Sequence, residues 1–328
     1  MTFLRNSWYV AAWDREISRV PLGRLFLNEP VVLYRRADGG VVALEDRCCH
    51  RQLPLSMGKV EGDELRCGYH GLKFEASGKC VEIPGQASIP PQARVRSYVL
   101  HEKYHWVWIW MGDPAKADPA LIPNWWWADH PEWAFTRPDR VRLECNYQLI
   151  ADNVLDVTHL AYVHATSIGA SSITEFPAAV EREERLVRLT RWIRDRPPPP
   201  LYKRAGGFAG NVDRWQIVEH IPPCFTVNFG GVQDSGKRID LMALSAPTPE
   251  TERSTHYFFG FVRNFGLGDA ETERICAVDM VQVFNEDFPV LEAQQRNAEP
   301  KAARVDIAVD AAPLAARRML QAMIEKEG

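Results

Sequence analysis

In the first third of the chain, apolar residues come in short runs bounded by Gly, Pro or Asp. PVVLYRR, VVALED, LRCGYHGLKF and HWVWIWMG are rich in β-branched and aromatic side chains and read as strands. In the last run Trp106, Trp108 and Trp110 recur at period two, so one strand face carries all three, with core packing as their expected role. GDPAKADP (112–119) is dense in turn residues and marks a boundary between a domain over 1–115 and a second over 116–328. Beyond it helices and strands mix. NYQLIADNVLDVTHLAYVHA (146–165) reads as a helix, and VEREERLVRLTRWI (180–193) alternates as a strand. FTVNFGGV and STHYFFGFVRNF are further strands, 274–297 a long helix, and AARRMLQAMIEKEG a final one. RDRPPPPLYKRAGGFAG (194–210) carries four prolines and predicts an irregular surface loop, solvated or closing over a site as a lid.

Length and composition narrow the class. The chain has 328 residues, 46% hydrophobic and 25% charged, ordinary for a globular protein of about two domains. A formal charge of −4 leaves no basic footprint for nucleic acid or a membrane surface. WVWIWM is far too short to span a bilayer, and MTFLRNSWYVAAWDREI lacks the layout of a signal peptide, so a cytoplasmic location is expected. Seven cysteines in a reducing compartment point to metal ligation or burial rather than disulfides.

Soft ligands concentrate in EDRCCHRQLPLSMG (45–58). Cys48 and His50 stand two apart, and in an extended segment such positions face the same side. Cys49 and His50 face opposite sides, so Cys48 is the expected partner of His50. Cys67-Gly68-Tyr69-His70 repeats the pairing of one thiolate with one imidazole, with Gly68 and Gly71 letting the backbone turn closely. Zinc knuckles usually pair like ligands. The order Cys, His, Cys, His suits a Rieske [2Fe–2S] centre, in which one iron takes two thiolates and the other two imidazoles. Zinc stays open as the competing metal.

A second group lies in 146–165. Asn153, Asp156 and His159 recur every third residue as one polar stripe on the expected helix. His164 is five residues past His159, about 140° around an ideal helix. Both rings reach one ion only where the helix is irregular or ends between them. Over 274–297, Cys276, Met280, Val283, Phe284, Asp287 and Leu291 form one stripe, apolar except for Asp287. A buried carboxylate calls for a partner or a metal. Two histidines and one carboxylate make a ligand set for Fe(II); pairing of Asp287 with a core arginine is the alternative. Glu286 falls on a neighbouring face and is expected in solvent, and Pro289 removes the bond to the Asn285 carbonyl.

These motifs, together with NSWYVAAW, ADPALIP, DRWQ, HYFFGFVRNF and FNEDFPVLEAQQRN, resemble the oxygenase component of Rieske non-haem iron oxygenases, in the vanillate and dicamba O-demethylase branch. The resemblance runs nearly end to end. It implies an α+β protein: an N-terminal all-β Rieske [2Fe–2S] domain, then a helix-grip-like catalytic domain with a curved antiparallel sheet and helices. It implies that Cys48, His50, Cys67 and His70 hold the cluster, and that His159, His164 and Asp287 hold a mononuclear Fe(II). By the same resemblance Asp156 is a bridging carboxylate, Asn153 a neighbour of the iron, and Asn228 and His256 candidates for binding a substrate carboxylate. It further implies a homotrimer, in which His70 of one subunit passes electrons through Asp156 and His159 of the next. A flavin/iron–sulfur reductase, with or without a ferredoxin, would supply those electrons from NAD(P)H. Cys49 stands where the family usually has Pro.

The function implied is a monooxygenase that O-demethylates a methoxylated aromatic acid to a phenol and formaldehyde with O2. Dihydroxylation, N-demethylation and methyl hydroxylation of sulfonates are the alternatives within the family. An electron carrier and a zinc-stabilised binding module are the alternatives outside it.

Overall fold

The computed structural model describes residues 3–327 apart from 166, 170, 300, 301, 303 and 304. It divides into two units, one of them Arg5–Ile122 with Pro249–Thr251. No helix among the described residues is long and apolar enough to cross a membrane.

The first unit is built almost wholly of strands. In chain order they are β1 (Trp8–Trp13), β2 (Leu22–Phe26), β3 (Glu29–Arg35), β4 (Val41–Glu45), β5 (Lys59–Glu61), β6 (Glu64–Arg66), β7 (Lys73–Phe74), β8 (Cys80–Glu82), β9 (Val99–Lys103) and β10 (Trp106–Trp110). They form three sheets ordered β1-β10-β9, β2-β3-β4 and β5-β6-β7-β8. Trp106, Trp108 and Trp110 are buried, as core packing requires. The register sets Trp13 opposite Trp106 and Trp8 opposite Trp110, with ring centroids 4.9 and 5.4 Å apart. LRCGYHGLKF is not one strand: it is β6, a turn, and β7. A second core, with Leu44, Leu55, Leu65 and Phe74, takes in Cys48 and Cys67.

The second unit is a sheet with helices. Its strands are β11 (Ala134–Thr136), β12 (Val141–Leu143), β13 (Ala179–Glu183), β14 (Leu186–Arg196), β15 (Val212–Ile221), β16 (Phe225–Gln233), β17 (Arg238–Pro249) and β18 (Thr255–Arg263). The sheet is antiparallel in the order β11-β18-β17-β16-β15-β14-β13, with β12 also on β18. Helices α1 (Tyr147–Leu155), α2 (Pro200–Gly206), α3 (Ala270–Arg274), α4 (Met280–Asn297) and α5 (Ala311–Glu327) accompany it. Gly328, the last residue of the predicted C-terminal helix, lies outside the described residues.

Two predicted elements differ. The loop over 194–210 is largely regular: β14 runs on to Arg196, held by Arg194 and the Asp195 N–H on Asp213. Helix α2 then begins at Pro200, because a first-turn residue needs no N–H and proline's fixed φ suits the helix. It buries Leu201 and Tyr202 and stops at Gly207, whose φ of 67° is left-handed. Burying two such side chains contributes about 3–6 kcal/mol against leaving them in water, so the segment is anchored to the core while Arg194, Lys203, Arg204 and Gly210 stay exposed. The helix predicted over 146–165 ends at Leu155. There Asp156 turns its carboxylate to the Thr158 N–H, 2.8 Å away, which offers the backbone an alternative to another helical turn.

Candidate active site

The first loop pair has one repeated geometry. The Cys48 N–H bonds to the Leu53 carbonyl (2.9 Å) and the Cys67 N–H to that of Leu72 (2.8 Å). Each Cys carbonyl accepts a bond from the residue four positions on, Gln52 or Gly71. Those two residues share a left-handed backbone, φ 61° and 75°. Glycine takes that conformation freely, whereas Gln52 holds it under constraint. Gly68 is needed for another reason: a Cβ there would lie 2.9 Å from the Met57 carbonyl, where the two loops meet. Asp46 braces the first loop by accepting from the Ser56 N–H and hydroxyl, both at 2.6 Å.

These loops bring Cys48, Cys67, His50 and His70 together. The His50 and His70 ring centroids are 4.5 Å apart. Both rings are exposed while both sulfurs are buried. Burial pushes the Cys48 thiol up to about 12, a shift that the Cys67 thiol beside it reinforces and the His50 N–H opposes. A metal would displace that thiol proton outright. Two buried thiols and two outward imidazoles fit a Rieske cluster, with thiolates on the inner iron and imidazoles on the outer. Cys49 is exposed, whereas Cys48 and Cys67 are buried.

In the second unit His159 opens a short 3₁₀ turn, His159–Ala161, beyond the end of α1. The early end of the helix resolves the spacing problem, since neither histidine is on α1. His164 follows in a tight bend whose carbonyl accepts from the Gly169 N–H at 2.8 Å. A Cβ on Gly169 would lie 2.0 Å from the Leu160 carbonyl, so the bend needs glycine. Asp287 projects inward from α4, 8% exposed. Ligand atoms of His159, His164 and Asp287 all lie within 4.8 Å of one another. Asp287 faces both rings: Oδ1 is 3.5 Å from His159 Nε2 and Oδ2 is 3.2 Å from His164 Nε2. Two imidazoles and one carboxylate on one side fit a mononuclear iron with free positions opposite.

The groups behind these donors fix their orientation. His159 Nδ1 meets the main-chain carbonyl of Asp156, not its carboxylate. Asn153 donates to Asp287 Oδ1 at 3.0 Å. Glu286 is half-buried, not free in solvent: it accepts from His164 Nδ1 at 2.7 Å and from the Ser167 hydroxyl at 3.0 Å. Both rings therefore donate outward from Nδ1 and turn Nε2 toward Asp287. Burial lowers the pKa of His159 despite Asp287. In His164 burial pulls the same way, but Asp287 and Glu286 together reverse it. Replacing Glu286 by Gln is expected to weaken iron binding about 10–100-fold without removing it; titration of the apoprotein with Fe(II) measures this.

The three donors open on a cavity whose walls include Val154, Leu160, Leu241, Phe284 and Asn228. Asn228 is one of the residues singled out in the sequence. The other, His256, lies elsewhere: Tyr257 lines the cavity, so its strand neighbour points to the opposite face, where His256 Nδ1 is 2.9 Å from Arg140. Leu201 and Tyr202, from the proline-rich segment, line the cavity as well.

Comparison with known proteins agrees with this geometry. Residues 7–98 match the Rieske [2Fe-2S] domain, and residues 143–326 match the vanillate O-demethylase oxygenase C-terminal domain. The chain is 44% identical to the toluene-4-sulfonate monooxygenase system iron-sulfur subunit of Comamonas testosteroni, over 99% of this chain and 98% of that one. It is 38% identical to the vanillate O-demethylase oxygenase subunit of a Pseudomonas species (strain HR199 / DSM 7063), over 99% and 96%. Dicamba monooxygenase, solved with non-heme iron and dicamba, superposes with a TM-score of 0.86 at 32% identity, covering 100% of this chain and 99% of the other. With a Rieske domain followed by this C-terminal domain, the chain belongs to the Rieske non-haem iron oxygenases, as the oxygenase component of a monooxygenase system in the vanillate and dicamba O-demethylase branch.

Proposed function

We propose that the protein oxidises a methyl carbon carried by an aromatic ring, most simply the methoxy group of a vanillate-like acid. The observation that carries this reading is the convergence of His159, His164 and Asp287 on a largely apolar cavity large side chains have left open. His159, His164 and Asp287 would hold an iron there, whose chemistry would be the reduction of O2. The balance for a methyl ether is ArOCH3 + O2 + two electrons + two protons giving ArOH + HCHO + H2O. The protein's own part is to orient the ring, exclude water with Val154, Leu160 and Phe284, and hold both imidazoles with Nε2 toward Asp287 through their Nδ1 bonds.

The relative named for toluene-4-sulfonate favours a second substrate, an aryl methyl group giving a benzylic alcohol. A panel of methoxylated aromatic acids and methylated arenesulfonates, offered with O2 and a reductase, separates the two. Formaldehyde release supports demethylation, and a benzylic alcohol without formaldehyde supports hydroxylation. No oxidation of any member would overturn the reading.

Asp156 is proposed to carry electrons into the site. Its half-buried carboxylate and His159 share a surface depression with Asp152 and Asn153. Because the Asp156 main chain, not its side chain, holds His159, Asp156→Asn is expected to keep all the iron and lose turnover by about 10²-fold or more. Single-turnover reduction of the mononuclear iron checks it, and unchanged electron delivery would remove the role. A homotrimer, an NAD(P)H-driven flavin/iron–sulfur reductase partner and a cytoplasmic location belong to the same reading. Cysteine ligands that must stay unoxidised until the cluster is built support the location.

A further inference from the structure

Arg214 and Gln216 stand two apart on β15 and both line the cavity. Arg214 is 6% exposed and Gln216 2%. The guanidinium makes one long hydrogen bond, Nη1 to the Ile168 carbonyl at 3.4 Å, lies 5.9 Å from the Tyr202 ring centroid, and its Nε has no partner. The Gln216 Oε1 and Asn228 Oδ1 atoms are also buried without partners. Register places Gln216 opposite Gly230, and Asn228 one row further along. A Cβ on Gly230 would lie 3.0 Å from the Tyr202 hydroxyl, so the missing side chain leaves room beside the two amides. Rotating either amide presents its NH2 group to that room.

A buried guanidinium normally has a carboxylate beside it, because an unpaired buried charge is costly. Among the described residues around this cavity the one acidic residue is Asp287, which faces the two histidines. Arg191, diagonal to Arg214 across β14 and β15, adds positive charge, and its pKa is lowered by burial and raised by Asp156. With a divalent iron on Asp287, the cavity would be more positive still. Among the described residues, then, no carboxylate compensates Arg214 in this cavity.

We propose that Arg214, assisted by the Gln216 and Asn228 amides, binds an anionic oxygen-bearing substituent of the aromatic substrate, a carboxylate or a sulfonate, and so sets specificity. This rests on the cavity being the substrate site. Arg214 thus takes the role expected of His256. No covalent step is involved: the anion orients the ring so that its methyl-bearing end faces His159, His164 and Asp287.

Equilibrium binding to the iron-loaded protein, by calorimetry and without turnover, tests this. The probes are toluene-4-sulfonate, 4-methoxybenzoate and neutral 4-methoxybenzamide. Either or both anions are expected to bind at least about tenfold more tightly than the amide, and which anion leads identifies the oxyanion. Arg214→Met is expected to weaken anion binding on the order of 100-fold and leave the amide nearly unchanged; Arg214→Lys should recover part of the loss. Iron content and the cluster spectrum of each variant establish folding, and the thermal midpoint of Arg214→Met should hold or rise, since an unpaired buried charge is gone. Equal wild-type affinity for anion and amide, or undiminished anion binding by Arg214→Met, overturns the proposal. Anion binding with no oxidation of any probe leaves it standing and counts against the methyl-oxidation reading alone.

Discussion

Cys48→Ala is expected to abolish the [2Fe–2S] cluster and all turnover, while Cys49→Ala and Cys49→Pro keep both. The two thiols are adjacent in sequence and differ in burial. Cys48 is buried, its main-chain N–H and carbonyl are tied into the loop, and Cys67 is its neighbour. Cys49 is exposed and outside the donor set. Iron per chain should fall from about three to about one in Cys48→Ala, with loss of the red-brown colour and of the paramagnetic signal on reduction. Thermal stability of the first unit should fall as well, because metal binding energy is also folding energy. If Cys49→Ala lost the cluster and Cys48→Ala kept it, the register of the first loop would be wrong.

The cluster was readable because its chemistry is local. Two short loops carry all four donors; the extended backbone that makes Cys48 rather than Cys49 the expected partner of His50 is in the structure a turn, closed by the Gln52 N–H on the Cys48 carbonyl. The duplicated loop geometry was only half readable: Gly71 announces its left-handed backbone, but Gln52 takes the same conformation without a residue type that signals it. The carboxylate at Asp287 was also legible, as the one polar position on the apolar face of 274–297. The structure adds a π-helical turn, Ile275–Asp279, before α4, yet Cys276, Met280, Val283 and Leu291 remain buried with Asp287.

Four features were hidden for separate reasons. The end of α1 depends on Asp156 capturing a main-chain N–H, an interaction that looks in sequence like one more member of a polar stripe. The proline run reads as a breaker, although Pro200 opens a helix that Gly207 closes; the signal was the Pro-to-Gly spacing, not the count of prolines. Glu286 was assigned to solvent from its helical angle, but a long side chain one residue from Asp287 reaches around to His164. Arg214 and Gln216 belong to DRWQ, where alternation puts them on the same side as Val212 and Val218. Charge on an apolar strand face is the signal that could have found them.

Asp287 and Glu286 can be separated by their effects on iron. Both are carboxylates from one helix, and both touch His164. Asp287 Oδ2 lies on the Nε2 side, together with His159 Nε2. Glu286 lies on the Nδ1 side, away from any shared ion. Asp287→Asn keeps the shape and can still accept from Asn153, but it removes the one negative charge among the three donors. It is therefore expected to lose the mononuclear iron on desalting and reduce turnover below about 10⁻³ of wild type, with the cluster colour intact and iron near two per chain. Glu286→Gln, by contrast, should keep the iron at wild-type stoichiometry when Fe(II) is in excess, because only the tautomer and tilt of His164 suffer. Iron analysis of the two proteins side by side decides the assignment. Retention of the third iron by Asp287→Asn with its loss from Glu286→Gln would move the ligand to Glu286 and turn the His164 ring over, with Nδ1 on the metal.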